Sequence, residues 1–272
     1  MDLVNSFLRA AITGYVALFG DAHPLVSLVP LSVAVGLLML WVFKITSDQK
    51  GIERAKKKMQ AYLLELRLYG DDPSLIFKTQ GNLIASNMRY LGLMFKPALF
   101  LTVPMVLLLV HMDAIYGIAP LRPGETAIVT VQAAGRLAAT AAAPRMDAPD
   151  VVAIDTPAVR AFSEGQFSWR IRGVGNGEGV LQFDWDGRKW TKDILAGDVV
   201  GYASHMRTAS FWETFLYAGE DRLDTQDISW VSISYPAAEI ETGSWHLHWL
   251  IWFLLISIVA AYGLKGFFGV NV

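Results

Sequence analysis

The chain is expected to be an α-helical membrane protein with three transmembrane helices, a cytoplasmic helical hairpin and an inserted antiparallel β-sandwich-like domain on the opposite side. Three observations carry that expectation: three long apolar runs, a basic segment between the first two, and a switch of hydrophobic period to two after Gly124. A 272-residue chain that is 53% hydrophobic is too apolar for an ordinary soluble domain.

A bilayer core needs roughly 20 apolar residues as helix. Residues 25–45 carry no charge before Lys44, residues 97–112 are apolar apart from Thr102 and His111 and the span can be extended to 97–117, and residues 246–268 hold an apolar centre interrupted by Ser257. The second and third apolar centres are short, which implies local bilayer thinning or snorkelling of flanking lysines. Residues 44–97 hold ten Lys/Arg against five Asp/Glu, and residues 113–245 eleven against eighteen, so a basic segment of +5 and an acidic one of −7 are separated by an apolar run. The Lys/Arg bias of the short loop predicts that it is cytoplasmic, with the N-terminus and the long acidic segment outside and the C-terminus inside, in a cytoplasmic membrane. Trp245, Trp249 and Trp252 cluster where the third span would enter from the outer face, as interfacial aromatic residues do. No small-residue cleavage site closes an early apolar run, so no cleaved leader is expected.

Within residues 1–20, Leu3, Phe7, Leu8, Ile12, Tyr15, Val16 and Phe19 share one face, with Asp2, Asn5, Arg9 and Thr13 between them. This is an amphipathic helix suited to the outer interface, broken from the first span at Asp21 and Pro24. Residues 46–96 read as two antiparallel helices. Ser47 or Asp48 can cap the first, Gly70 stops it, and Asp72-Pro73 restarts the second, which is expected to end at Pro97. The run Lys56, Lys57 and Lys58 is either a solvated face that fixes topology or a contact for anionic lipid, ribosome or nascent chain.

Residues 120–244 alternate. Ala127, Val129 and Val131 face one way, as do Phe167, Trp169 and Ile171, then Leu181, Phe183 and Trp185. Asp186-Gly187 is a two-residue hairpin turn, residues 228–235 form a last strand, and residues 133–149, rich in Ala and Pro, form an irregular crossover. With no cysteine, the domain must hold together by packing alone.

Candidate chemistry is sparse. The glycine-rich stretch 173–179 lacks the strand-to-helix setting of a phosphate loop and reads as a strand connection. Asp184, Asp186 and Gly187 lack the further ligands of a calcium loop, and His246 and His248 lack a third metal ligand. There is no nucleophile-elbow or zinc-protease motif, so no enzyme, metal or cofactor is expected, and no nucleic-acid partner.

The run Met94-Phe-Lys-Pro-Ala-Leu-Phe-Leu-Thr-Val-Pro-Met-Val-Leu-Leu-Leu109, following a basic hairpin, resembles the Oxa/YidC/Alb insertase superfamily, in particular the three-span archaeal YidC-like proteins and the insertase subunit of the ER membrane complex. Lys96-Pro97 and Pro104 match the prolines of that superfamily's second core span, and residues 1–119 and 246–272 fit its topology. The β domain is an addition to the three-span pattern, and no arginine sits in any span. The resemblance implies a membrane protein biogenesis factor that eases client helices into the bilayer through a partly polar groove. Ser32, Thr102 and Ser257 are its lining candidates, and Lys44, Lys96 and Lys265 stand at its cytoplasmic mouth. Its partners would be membrane lipids and nascent membrane proteins. The competing reading is a non-catalytic subunit of a membrane complex, docking a fixed partner through the β domain.

Overall fold

A computed structural model describes residues 2–20, 22–69, 71–135, 142–217 and 220–269. The expected breaks at Asp21 and Gly70 lie outside the described residues. Helix α1 (Asp2–Ala17) precedes α2 (Pro24–Thr46), α3 (Gln49–Leu68) and α4 (Pro73–Tyr116). Strands β1 (Thr126–Ala133), β2 (Arg145–Asp147), β3 (Val152–Ile154), β4 (Val159–Ala161), β5 (Gln166–Gly173), β6 (Gly177–Trp185), β7 (Arg188–Ala196) and β8 (Met206–Thr208) follow. A short α5 (Glu213–Leu216), then β9 (Ile228–Ile233), β10 (Glu239–Thr242), β11 (Trp245–His248) and α6 (Trp249–Phe268) complete the order. Helices α2, α4 and α6 are long and apolar enough to cross a membrane. The chain divides into two compact units, Met1–Ser27 with Val106–Ile251, and Leu28–Met105 with Trp252–Val272.

The long α4 corrects one expectation. The helix does not end at Pro97 but continues through Pro97 and Pro104, 44 residues without a break. Each proline removes one amide, leaving the Leu93 and Phe100 carbonyls without their i+4 donor. Long apolar helices tolerate this loss where neighbouring helices, hydroxyl side chains or local adjustments re-satisfy the freed carbonyls.

The caps of the hairpin are those expected. Asp48 Oδ1 accepts from Gly51 N at 2.9 Å and Asp72 Oδ1 accepts from Ser74 N at 2.9 Å. On α3, Ile52 and Ala55 are buried and Met59, Tyr62 and Leu66 half-buried; on α4, Ile76, Thr79, Leu83, Ser86 and Tyr90 form the matching row. Both rows repeat at alternating three- and four-residue steps, the spacing of a coiled-coil seam. At the hairpin base Gly51 leaves room for the Asp48 carboxylate that caps α3, with Leu93 Cδ1 the next neighbour, 3.3 Å from where a Cβ would stand.

In the other unit, a six-stranded sheet runs β3-β5-β1-β9-β8 with β4 also on β5, and a second sheet runs β2-β6-β7; all strand pairs are antiparallel. The alternation is as read from the sequence: Val129, Val131, Phe167, Trp169 and Ile171 of the larger sheet and Leu181, Phe183, Trp190 and Ile194 of the smaller share one core. Trp169 meets Phe183 edge-on at 5.9 Å, and Phe183 stacks on Trp190 at 5.6 Å. Asp186 (φ 51°) and Gly187 (φ 83°) make the expected two-residue turn between β6 and β7.

Three details differ from the sequence reading. Arg145–Asp147, placed in an irregular crossover, pairs with β6; residues 136–141 lie outside the described residues. A further hairpin, β10–β11, follows β9, so α6 begins at Trp249, and His246 and His248 belong to β11. Finally, α1 is tied to the β domain, not only placed to lie on a membrane surface. Arg9 reaches Asp193 at 3.4 Å and lies 5.2 Å from the Tyr202 ring centroid, and Ile12 and Val16 are buried. At about a third exposure for each partner, this ion pair contributes at most about 1 kcal/mol.

Because Ile118 belongs to the β core and β10 pairs with β11, residues 117–248 contain the whole β core and all its strands. Expressed alone, that fragment is expected to be soluble and to unfold cooperatively with a β-rich circular dichroism spectrum. A molten or aggregated product would show that α1 or the apolar helices are needed for its stability.

Candidate functional site

Helices α2, α4 and α6 surround a cleft of about 310 Å³, open on one side. Its position follows from one close approach. A Cβ on Gly36 would lie 2.7 Å from the carbonyl oxygen of Ser257, so only glycine lets α2 and α6 touch backbone to backbone there. From that crossing the cleft extends along Met39, Leu40 and Phe43 of α2, Met94, Leu101 and Met105 of α4, and Ala261 and Tyr262 of α6. Three methionines in a wall of this size make an adaptable apolar surface, because the unbranched thioether side chain refits to different shapes.

The sequence candidates are dispersed by this geometry. Ser257 and Lys265 line the cleft. Ser32 is fully buried and donates to the Leu28 carbonyl at 2.7 Å, and Thr102 is exposed and donates to the Ala98 carbonyl at 2.9 Å. Both hydroxyls satisfy their own helix and lie outside the cleft lining. Ser257 likewise bonds Leu254 O at 3.1 Å. The wall is therefore almost wholly apolar rather than partly polar. Of the three lysines expected at a mouth, Lys265 lies over the Tyr262 ring at 4.8 Å, a cation–π pairing that holds the charge at the cleft rim, while Lys44 and Lys96 are exposed and do not line it.

On the hairpin, Lys56, Lys57 and Lys58 all point to solvent. Lys57 pairs with Glu53 one turn away at 2.7 Å and draws that carboxyl below its ordinary range. The face of α4 opposite the α3 seam is apolar and exposed: Phe77, Ile84, Met88, Leu91 and Phe95 follow one another at helical spacing. Periodicity alone could not say that these residues turn away from α3.

The β domain holds a charged pair that sequence reasoning missed. Lys192 on β7 is fully buried; its Nζ pairs with Glu220 and donates to Ser204 O at 2.6 Å. Glu220 Oε2 also accepts the Asp193 amide at 3.0 Å. The signal was present, since Trp190, Lys192 and Ile194 share the inward parity of β7 and a lysine in that series needs a buried counter-charge. Nearby, burial pushes the Tyr202 and Tyr235 hydroxyls up from their ordinary range, so both stay protonated; Tyr235 Oη accepts from Leu195 N at 3.1 Å.

No protein-family model, curated protein or solved structure matches this chain.

Proposed function

We propose that the protein is an Oxa/YidC-type membrane insertase or membrane chaperone, with α2, α4 and α6 spanning the cytoplasmic membrane, the hairpin and C-terminus cytoplasmic, and the N-terminus and β domain outside. The observation that supports this most is the methionine-lined cleft among the three apolar helices. A cleft of this composition suits transient capture of apolar segments of differing sequence, which a rigid wall of branched side chains would not. Capture is apolar here; the polar-groove version of the mechanism has little support from the lining. Lys265 at the rim suits a client's acidic flank, and the open side suits release into lipid. The physical need is real, because a charged flank at the bilayer centre costs at least about 2.5–3.5 kcal/mol, so a client held beside thinned bilayer inserts over a lower barrier.

Orientation is supported by the excess of Lys/Arg in residues 44–97. As the chain has no cysteine, single replacements report cleanly. Lys57→Cys in the hairpin is expected to react with an impermeant maleimide only after permeabilisation, and Val174→Cys, half exposed between β5 and β6, in intact spheroplasts. The opposite pattern would overturn the orientation and the superfamily reading with it. The function itself is tested by insertion of a short-tailed, single-span reporter into proteoliposomes with and without the protein. Equal insertion in both would remove the insertase reading.

One observation favours the accessory-subunit alternative. The exposed α4 row Phe77, Ile84, Met88, Leu91 and Phe95 has the spacing of a second seam, which suits a helical partner in a fixed complex.

A further inference from the structure

The segment between β8 and β9 exposes Phe211, Trp212, Leu216 and Tyr217 to 46%, 77%, 57% and 37%. Four large apolar or aromatic side chains on one short stretch are unfavourable in water and mark a contact surface. The stretch is firmly built. Thr208 Oγ1 donates to Glu213 Oε2 at 2.6 Å, Thr214 Oγ1 to Ser210 O at 2.8 Å, and Tyr217 N to Glu213 O at 2.9 Å. Three residues beyond Tyr217, Glu220 is anchored by the buried Lys192. The exposure of the aromatic residues is therefore held in place by the fold around them.

The location of two of them bears on what covers the segment. Leu216 and Tyr217 line a cleft of about 250 Å³ together with Leu109, Val110 and Asp113 of α4 and Trp249 and Leu250 of α6. These neighbours are the β-domain ends of two helices long and apolar enough to cross a membrane. Asp113 Oδ1 accepts from Trp249 Nε1 at 3.0 Å, the kind of polar tether that aromatic side chains make at a membrane surface. Leu216 and Tyr217 thus stand beside the ends of α4 and α6, and Phe211 and Trp212 lie a few residues before them in the chain; with α4 and α6 as spans, those ends lie where tryptophan and tyrosine are enriched.

We propose that Phe211, Trp212, Leu216 and Tyr217 form a membrane-docking surface that inserts into the headgroup–acyl boundary of the leaflet on the β-domain side, so that the β domain rests on lipid beside its helices. The proposal rests on the reading of α4 and α6 as spans. Continuity of the segment with those helix ends favours lipid over a protein partner, and the mix of aromatic rings with one aliphatic side chain fits an interface that is apolar on one side and wet on the other.

The test uses the full chain in phosphatidylcholine/phosphatidylglycerol proteoliposomes, carrying one nitroxide at a time. Trp212→Cys reports the proposed surface, Val259→Cys, exposed on α6, is the lipid reference, and Lys189→Cys, exposed on β7, is the water reference. The ratio of collision with oxygen to collision with a water-soluble nickel chelate is expected to be severalfold higher at position 212 than at 189, approaching that at 259. A ratio at 212 equal to that at 189, with 259 still in lipid, overturns the proposal and leaves the spans standing; this is also the result expected of a surface kept for a protein partner. Ratios at 212 and 259 both equal to that at 189 overturn the proposal and the span reading together. Brominated lipid provides an independent measure without a label: Trp212→Phe should lower the quenchable tryptophan fluorescence relative to the unsubstituted protein, and an unchanged quenchable signal counts against docking.

Discussion

Replacing Lys192 with alanine is expected to destabilise the β domain by about 3–5 kcal/mol, because the Glu220 carboxylate would be left buried without its counter-charge. Losses of that size have few sources, and an uncompensated buried charge is one of them. The cost should fall when both charges are removed. In Lys192→Met with Glu220→Leu no buried charge remains, but the Asp193 amide and the Ser204 carbonyl each lose a partner. With apolar side chains packed in place of both charges, the double variant should recover a clear part of the single variant's loss, while the two unpaired backbone groups keep it less stable than the parent. Urea unfolding of the 117–248 fragment measures this, and hydrogen exchange in β6 and β7 measures it in the intact protein. A loss below about 1 kcal/mol for Lys192→Ala would mean that water reaches Glu220 freely, against the burial described above. The same variant should also loosen the aromatic segment, since Glu220 anchors its far end.

Under the proposed insertase function, filling the cleft is expected to abolish most client capture. Ala261→Trp would place an indole among Met39, Phe43 and Met105, occupying space that a client side chain would need. Excluding one large apolar side chain from burial removes roughly 1.5–3 kcal/mol of binding, or a fall in affinity of roughly ten- to a hundredfold. Tryptophan is acceptable in an apolar helix, so abundance should hold. Thr102→Leu is the internal control: it lies outside the cleft lining, and reporter insertion should be unaffected. Ser257→Leu should have a small effect, since the Ser257 hydroxyl is engaged with its own helix. If Ala261→Trp inserts the reporter at the parent rate while remaining abundant, the cleft is not the capture site. If Thr102→Leu and Ser257→Leu together stop insertion, the polar-groove mechanism is the better one after all.

Much of the fold was legible because its rules are local. Asp48 and Asp72-Pro73 announced the hairpin helices through capping chemistry that involves only the next three residues. The inward parity of Val129, Val131, Phe167 and Trp169 was readable because successive side chains of a strand point to opposite faces whatever the sheet becomes. Asp186-Gly187 was readable because few residues tolerate the positive φ that such a turn needs. The stop expected at Pro97 failed because the local rule behind it assumes a helix surrounded by water. In water the chain can leave the helix because the freed backbone groups are solvated; in apolar surroundings leaving it would strand further groups at several kcal/mol each, so the helix carries on through the proline.

The candidate site was less legible, because a site is made by residues distant in sequence. Ser32, Thr102 and Ser257 were chosen as polar positions in apolar runs, yet a serine or threonine in such a helix can satisfy itself on its own carbonyls. Met39, Met94 and Met105 were indistinguishable from other apolar residues until the helices brought them to one wall.

By itself, then, the sequence determined the three apolar helices, the basic hairpin, the parity of the strands and the absence of disulfides, all properties set by composition and by neighbours within a turn or two. Only the tertiary structure decided that Gly36 meets Ser257, that an apolar cleft lies beside that crossing, that Arg9 binds α1 to the β domain, and that Lys192 finds Glu220. Those juxtapositions depend on packing between segments up to hundreds of residues apart, where volume and charge complementarity, not periodicity, select the partner.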